Sequence, residues 1–311
     1  MVANSETNKP LVSFVVNCYN GEKYLNDCLL SILKQTYKNW ELIFWDNSSE
    51  DNSKDIFLSY DDSRFKYFSS SKNVNLGQAR EWAVNNCSGE YIAFLDVDDE
   101  WIPEKTEIQV REMLKDNYVL SYGGMVWIED ETKKTKVIYP KYESGYLFSE
   151  NMFQFDINMA TSMIKRSSLL EKEINFDKKI VASEEYCLYM QLIYKEKVCV
   201  INEPIAKYLV RQNSLTNQSI RYWTDERIYT LNKILEKYPE SSAEFPKEFN
   251  EAFARAEYYK LRYNLEQNNI DEAKKSARKI YQSRFIYFVV AVLLYVSHNF
   301  LKFAFRKYYN R

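Results

Sequence analysis

The 311-residue sequence contains a single histidine, His298, and this scarcity removes several kinds of chemistry. Ser-His-Asp and Cys-His nucleophilic systems need an imidazole base, and many zinc sites use several imidazoles as ligands. Any general base in this chain is therefore expected to be a carboxylate. Any metal is expected to be a hard cation bound by oxygen.

The five cysteines are odd in number and scattered, and no C-x-x-C pair occurs. This usage is typical of reduced thiols and predicts a cytosolic compartment. Met1 to Pro10 is polar and has none of the apolar core of a signal peptide, which agrees with that prediction. The 42 Lys and Arg residues nearly balance the 44 Asp and Glu residues, so no nucleic-acid partner is expected.

The first third of the chain alternates short apolar runs with helical patterns, which is the order of βαβ units. The predicted strands here are Leu11 to Val16, Trp40 to Trp45, Phe65 to Phe68 and Tyr91 to Leu95, with helices at 22–35 and 76–86. A parallel, doubly wound sheet follows. The middle of the chain extends this sheet with strands at 118–128, at 161–164, near Val198 and near Ile205, and with helices after Pro103 and at 184–194.

The last third predicts helices from Tyr222 to about Ser283, followed by the apolar run Phe285 to Val296 and a basic tail. This run is shorter than the roughly 20 residues that a bilayer-spanning helix needs. Its basic flank favours a helix lying in the interface of an anionic leaflet, and the alternative is a buried core helix. The expected domains are a catalytic domain at 1–216, a helical appendage at 217–283 and a membrane-associating segment at 284–311.

Acidic residues directly follow the strand that ends at Leu95, in the string Asp96-Val97-Asp98-Asp99. Ligands in open α/β sheets bind beyond the carboxyl ends of strands. Three carboxylates within four positions repel one another unless a cation compensates them, and Mg²⁺ or Mn²⁺ on a substrate diphosphate would do so. The alternative is an acidic turn that caps the next helix.

Two further polar loops follow predicted strands. The string from Asp46 to Ser53 offers Asp and Asn side chains to a base edge, although an Asx turn explains many such strings. The string Asn17-Cys18-Tyr19-Asn20-Gly21 offers a tyrosine ring to a nucleobase, although an ordinary βα loop has the same composition. All three loops are expected to leave the same edge of one sheet.

Taken in order, these segments resemble family 2 glycosyltransferases over roughly Leu11 to Thr216. The resemblance also includes Asn75-Leu76-Gly77-Gln78-Ala79-Arg80 and the run from Gly89 to Asp99. It implies a GT-A fold, a mixed Rossmann-like sheet flanked by helices. It also implies a set of nucleotide-sugar contacts: Tyr19, Asn20, Asp46 and Arg80 at a uracil-type base, Asp96 and Asp99 at the sugar side, and Asp98 at the metal.

The sequence departs from the family pattern at two of its resembling segments. Glu184-Glu185 stands where inverting members have a Glu-Asp pair, so the resemblance makes Glu185 the base and Glu184 the residue that orients the acceptor. Arg211 stands where a histidine is common in the family. Arginine does not ligate a metal, but its charged fork suits a diphosphate, so weaker metal dependence is expected.

The resulting prediction is an inverting transfer of a hexose, with UDP-glucose as first choice, to a polyprenyl-diphosphate-linked glycan. The enzyme is expected to be cytoplasmic, on the inner face of the plasma membrane. One alternative is a haloacid-dehalogenase-like phosphatase, which also places D-x-D after a strand. Another is a catalytically silent, membrane-associated nucleotide-sugar-binding or scaffold protein of the same fold.

Overall fold

A computed structural model of the chain describes residues 9–211 and 220–309. Within them, two compact units are distinguished. The first contains residues 9–151, 155–180 and 188–211, and the second contains residues 152–154, 181–187 and 220–309. The expected boundary between residues 216 and 217, and Ser214 to Thr216 of the resembling segment, lie outside the described residues.

The first unit is built on a ten-stranded mixed sheet. Its strands are β1 (Val12–Cys18), β2 (Trp40–Asp46), β3 (Phe65–Ser69), β4 (Tyr91–Asp96), β5 (Glu100–Trp101), β6 (Tyr118–Glu129), β7 (Thr135–Ile138), β8 (Gly145–Tyr146), β9 (Met163–Lys165) and β10 (Lys197–Val210). The order is β3-β2-β1-β4-β9-β6-β10-β5, while β7 pairs with β6 and β8 with β10. The first four strands are parallel, as predicted.

Two strand predictions in the middle of the chain are corrected. The strand expected at 161–164 begins at Met163, because Met159–Thr161 forms a 3-10 turn. The two strands expected near Val198 and Ile205 are the single strand β10, whose register shifts around Pro204. Proline has no N–H to donate to a ladder, so the strand bulges there and then resumes pairing.

Helices precede or follow most of these strands. Up to residue 211 they are α1 (Glu22–Leu33), α2 (Ser53–Leu58), α3 (Leu76–Asn85), α4 (Lys105–Met113), α5 (Phe148–Phe153), α6 (Arg166–Glu171) and α7 (Glu184–Leu192). The sheet core is aromatic: the Phe14 ring stacks on Trp40 at 5.2 Å and meets Trp101 edge-on at 4.8 Å. All five cysteines are buried and free, as expected of reduced thiols.

The second unit is mainly helical. It contains α8 (Ile220–Lys237), α9 (Ser241–Glu244), α10 (Pro246–Glu266), α11 (Ile270–Ile280) and α12 (Phe285–Tyr309). One face of α12 packs into an apolar core with α10 and α11, through residues that include Leu261, Ala277 and Leu294.

Helical structure at the C-terminus extends beyond the predicted apolar run Phe285 to Val296. Helix α12 continues past Val296 to Tyr309, with a non-helical backbone at Ser297 (φ −156°, ψ 86°). Residues 285–305 are long and apolar enough to cross a membrane. The predicted apolar run ends before Ser297-His298-Asn299, but aromatic residues beyond this string continue the apolar pattern.

Candidate active site

The carboxyl ends of β2, β1 and β4 lie side by side. In the parallel register Cys18 pairs with Asp46, and Asn17 pairs with Asp96. The three polar loops singled out in the sequence therefore leave the same edge of the sheet. This is the position at which an open α/β sheet binds its ligands.

The loops after β1 and β2 are joined by hydrogen bonds in both directions. The Asn20 N–H donates to Ser49 Oγ (3.0 Å), and Asn20 Oδ1 accepts from the Glu50 N–H (2.8 Å). The Gly21 N–H donates to Ser53 Oγ (2.9 Å). Asn20 has φ 51°, in the left-handed region that asparagine tolerates. Beside these bonds the Tyr19 side chain is 49% exposed and accessible to a ligand.

The loop after β1 also approaches the loop after β4 closely. A Cβ atom at Gly21 would lie 2.8 Å from both Cys18 Sγ and Val97 Cγ2. Only glycine fits at this position without a shift of its neighbours. The loop after β1 and the acidic turn after β4 therefore pack closely against each other.

Asp46 is buried, with both carboxylate oxygens engaged. Oδ1 accepts from the Ser49 N–H (2.8 Å), and Oδ2 accepts from the Tyr67 hydroxyl (2.6 Å). Burial and this bond to Asp46 raise the pKa of Tyr67, so the phenol remains a donor. The carboxylate is held rigidly at the edge where a base is expected to bind.

Arg80 is brought to Asp96 by helix α3. Asn75 caps this helix by accepting from the Gln78 N–H, and Gly77 admits the backbone oxygen of Asp177 close to its Cα. The buried Arg80 guanidinium then donates to Asp96 Oδ1 at 2.6 Å. Asp96 retains an exposed side chain (37%), so Arg80 orients a carboxylate that a ligand can reach.

Arg211, directly after β10, forms an ion pair with Asp98. Its guanidinium also lies 5.2 Å from the centre of the Tyr24 ring, and the Tyr24 hydroxyl donates to Asp130. The structure thus places the arginine on the residue expected to hold the metal. Its contact with a donor diphosphate stays a prediction.

Asp99 differs from its two neighbours because it is only 2% exposed. Its Oδ1 accepts from the Leu209 N–H (2.9 Å), and its buried Oδ2 has no hydrogen-bond partner among the described residues. Burial, followed by the charges of Asp98 and Asp96, raises the pKa of Asp99 well above its usual range. This position attaches the acidic turn to β10. The sugar contact that the resemblance implies for Asp99 stays a prediction.

The donor set at the turn suits a divalent cation. Asp96 and Asp98 offer oxygen ligands, and Mg²⁺ typically takes one or two carboxylates together with substrate phosphate oxygens. Burial and the charge of Asp96 raise the pKa of Asp98 against the opposing effect of Arg211, so an added cation would relieve the repulsion. Within residues 9–211 and 220–309, no three His, Cys, Asp or Glu side chains are grouped to hold a metal by themselves.

Glu184 and Glu185 form the first turn of α7, where negative charge is favourable. Glu184 is buried and Glu185 is partly exposed. The preceding residues 181–183 and this first turn belong to the second unit. The two acids are therefore presented on a helix start rather than on a strand end.

The sequence reasoning missed two residues that shape the site, Tyr67 and Tyr24. Tyr67 was detectable, because the parallel register that pairs Asp46 with Ser69 places it near the end of β3. Tyr24 was not, because its position near Arg211 depends on the path of β10, nearly 190 residues later in the chain.

Comparison with known proteins identifies the family of the chain. The family model described as Glycosyl transferase family 2 matches residues 13–171. A relative from Escherichia coli, named UDP-Glc:alpha-D-GlcNAc-diphosphoundecaprenol beta-1,3-glucosyltransferase WfgD, is 31% identical over 213 residues, covering 68% of this chain and 81% of that protein. The putative teichuronic acid biosynthesis glycosyltransferase TuaG of Bacillus subtilis is 29% identical, covering 67% and 82%.

Among solved structures, S. aureus TarS 1-349 in complex with UDP-GlcNAc aligns with a TM-score of 0.71 at 15% identity, covering 95% of this chain and 91% of that one. The chain belongs to glycosyltransferase family 2 and has the GT-A fold. It is therefore a transferase, and the phosphatase and silent-scaffold alternatives are set aside.

Proposed function

We propose that the enzyme transfers a hexose from a UDP-sugar, with UDP-glucose as first candidate, to a hydroxyl group of a lipid-linked glycan. The observation that carries the proposal is the grouping of Asp46, Asp96 and Asp98 at one sheet edge, each held by a defined partner. The donor and the polyprenyl-diphosphate acceptor class are supported by the name of the E. coli relative. The UDP-GlcNAc in the S. aureus structure supports a UDP-linked donor.

The donor site is proposed to use side chains from all three loops. The Tyr19 ring stacks on uracil beside Asn20, and Asp46 and Arg80 fix the polar edge of the nucleoside. Asp96 faces the sugar and Arg211 the diphosphate. Asp99 holds the turn to β10 through the Leu209 N–H.

Asp98, with Asp96 beside it, is the proposed ligand set for Mg²⁺ or Mn²⁺. When bound, such an ion neutralises charge on the diphosphate. Arg211 supplies a second, permanent positive charge at the same turn. We therefore expect the enzyme to retain more activity without metal than a relative with histidine at this position.

The chemical step is proposed to be a single displacement. Glu185 takes the proton of the acceptor hydroxyl while Glu184 orients the acceptor. The acceptor oxygen bonds to the anomeric carbon as the bond from that carbon to the diphosphate oxygen breaks, so UDP leaves and the configuration inverts. A general base of this kind typically contributes about 10²–10⁴-fold to the rate.

The test is UDP release from a panel of UDP-sugars, with GlcNAc-diphosphoundecaprenol as acceptor. Glu185→Gln should lower turnover by about 10²-fold or more and leave the thermal shift produced by UDP unchanged. Glu171→Gln, an exposed acid on α6, is the control. Full turnover by Glu185→Gln would refute the base assignment, and retention of configuration in the product would refute the single displacement.

The enzyme is further proposed to act at the cytoplasmic face of a membrane, through the outward face of α12. Helix α12 exposes several large apolar side chains: Phe285, Ile286, Phe288, Val292, Tyr295, Val296, Phe300 and Phe303. Phe285 and Val296 are 80% and 79% exposed. Exposed apolar surface of this extent is typical of an interaction surface.

The opposite face of α12 favours a helix that lies along the bilayer surface. It is packed against α10 and α11, and Arg284 and Tyr287 both donate to the buried Glu251 carboxylate of α10. A helix fixed in this way along one side cannot be surrounded by lipid. Lys274 and Arg278 of α11 contact the Tyr295 ring and hydroxyl, which places basic groups beside the apolar face.

Flotation with anionic and zwitterionic vesicles tests this proposal. Phe285→Glu combined with Val296→Glu should abolish binding to anionic vesicles without disturbing the packed face, whereas removal of the helix would also damage the core. Leu170→Glu, at an exposed apolar residue of the first unit (62%), is the control. Unchanged binding by the double variant would contradict the membrane role of α12.

A further inference from the structure

A buried carboxylate from α8 holds the backbone that leads into α7. Glu226 lies in the second turn of α8 and is only 6% exposed. Its Oε1 accepts from the Val181 N–H (2.6 Å) and the Ala182 N–H (3.2 Å). Its Oε2 accepts from the Ala182 N–H (3.2 Å) and the Ser183 hydroxyl (2.8 Å).

The next residue of α8, Arg227, contacts the first turn of α7. The Arg227 guanidinium lies 3.6 Å from the centre of the Tyr186 ring, in the first turn of α7. Glu226 and Arg227 therefore hold residues 181–183 and Tyr186. The two acids proposed for proton transfer and acceptor orientation, Glu184 and Glu185, lie between these two contacts in the chain.

We propose that Glu226 is a positioning residue for the base Glu185, an inference that rests on the proposed function. Three donors in consecutive residues converge on one carboxylate, and charge-assisted hydrogen bonds of this type are short and directional. They fix the backbone immediately before the helix start from which Glu185 projects. Misplacement of a reacting group by about 1 Å can reduce the rate by about 10²-fold, so a rigid helix start has a direct catalytic value.

A purely structural role for Glu226 predicts a different outcome. It predicts lower stability, with normal kinetics for the protein that remains folded. A positioning role predicts lower kcat with an unchanged KM for the UDP-sugar, because donor contacts are made elsewhere. It also predicts that the effect of Glu226 disappears once Glu185 has been neutralised, since the two residues act as one unit.

The experiment compares kcat and donor KM for Glu226→Gln, Glu185→Gln and the double variant, all as full-length protein. Asp225→Asn, an exposed acid on the same helical turn, is the matched control. We expect Glu226→Gln to lower kcat by about 10–10²-fold, the donor KM to stay within twofold of the wild-type value, and the double variant to equal Glu185→Gln. Ser183→Ala removes one of the three donors and should give a smaller change of the same kind. This variant provides the test if Glu226→Gln does not fold.

The outcomes separate the two proposals. Wild-type kcat in both Glu226→Gln and Ser183→Ala overturns the positioning role alone, as does a double variant whose losses multiply. Full turnover in Glu185→Gln overturns the base assignment and with it the positioning role. A raised donor KM in Glu226→Gln with normal kcat also overturns the positioning role, because it would place the effect in donor binding.

Discussion

Glu41 and the acidic turn lie at opposite ends of the strands of the central sheet and have opposite electrostatic environments. At the amino ends of the strands, Glu41 of β2 accepts from Ser13 Oγ (2.6 Å), the Ser88 N–H (2.7 Å), Ser88 Oγ (2.8 Å) and Lys66 Nζ (2.5 Å). At the carboxyl ends, Asp96, Asp98 and Asp99 crowd one turn, and the Asp99 Oδ2 has no partner among the described residues.

The pKa values of the carboxylates at the two places shift in opposite directions. Burial raises the pKa of Glu41, but the four hydrogen bonds outweigh it and lower the pKa to about 2. Burial and mutual repulsion raise the pKa values of Asp98 and Asp99 instead. The sheet thus satisfies Glu41 at one edge and leaves the acidic turn with a demand for positive charge at the other, where the donor diphosphate is proposed to bind.

The largest expected effect on turnover comes from neutralising Asp98 in the acidic turn. Asp98→Asn should reduce turnover with UDP-glucose by about 10³-fold, because stabilisation of the departing charge is often the largest catalytic contribution. It should not reduce the urea midpoint, because the carboxylate it removes is disfavoured by its surroundings. A clear loss of stability with normal turnover would reverse the contrast between the two edges.

Neutralising Glu41 should have the opposite effect, a loss of stability without a loss of turnover. Glu41→Gln is expected to reduce the free energy of unfolding at pH 7 by on the order of 2 kcal/mol, while the folded protein keeps its turnover. Because the folded pKa is lowered, the contribution of Glu41 is present above its usual pKa of 4.5 and is lost as the pH falls towards 2. Urea midpoints from pH 7 to pH 3 should therefore converge for wild type and variant, and a constant difference would contradict this account.

A smaller effect is expected at Arg211, which sharpens the comparison. Arg211→Lys keeps a positive charge beside Asp98 but loses the planar fork, so we expect a fall in kcat/KM of about tenfold. Arg211→Ala should also make turnover more dependent on Mn²⁺, because one of the two positive charges is gone. Equal residual activity of wild type and Arg211→Ala after EDTA treatment would show that Arg211 does not substitute for the metal.

Much of this arrangement was predictable from local pattern. The first four strands and the loops at Asp46 and Asp96 follow from apolar runs that end in polar strings, and parallel pairing places such ends together. Arg80 was predictable only from the family resemblance. The pairing of Arg80 with Asp96 depends on the order of the strands in the sheet, which periodicity does not specify.

The features that escaped prediction depend on contacts between distant segments. Asp99 has the same sequence context as Asp98, and only the path of β10 past Leu209 buries it. Glu226 lies in an ordinary amphipathic helix, and its proposed positioning role depends on its contacts with residues 181–183. Helix α12 extends beyond the apolar run because helical structure resumes after the break at Ser297, which periodicity alone does not reveal.

The close approach at Gly21 has a consequence for selectivity. A Cβ atom at Gly21 would crowd Val97, so the loop proposed to bind the base and the turn proposed to bind the phosphates meet closely and would act as one block. Such a block recognises the shared nucleotide part of any donor and gains nothing from adapting to a particular sugar. Discrimination among sugars then falls to residues outside it, so exchanging donors by mutagenesis should begin there.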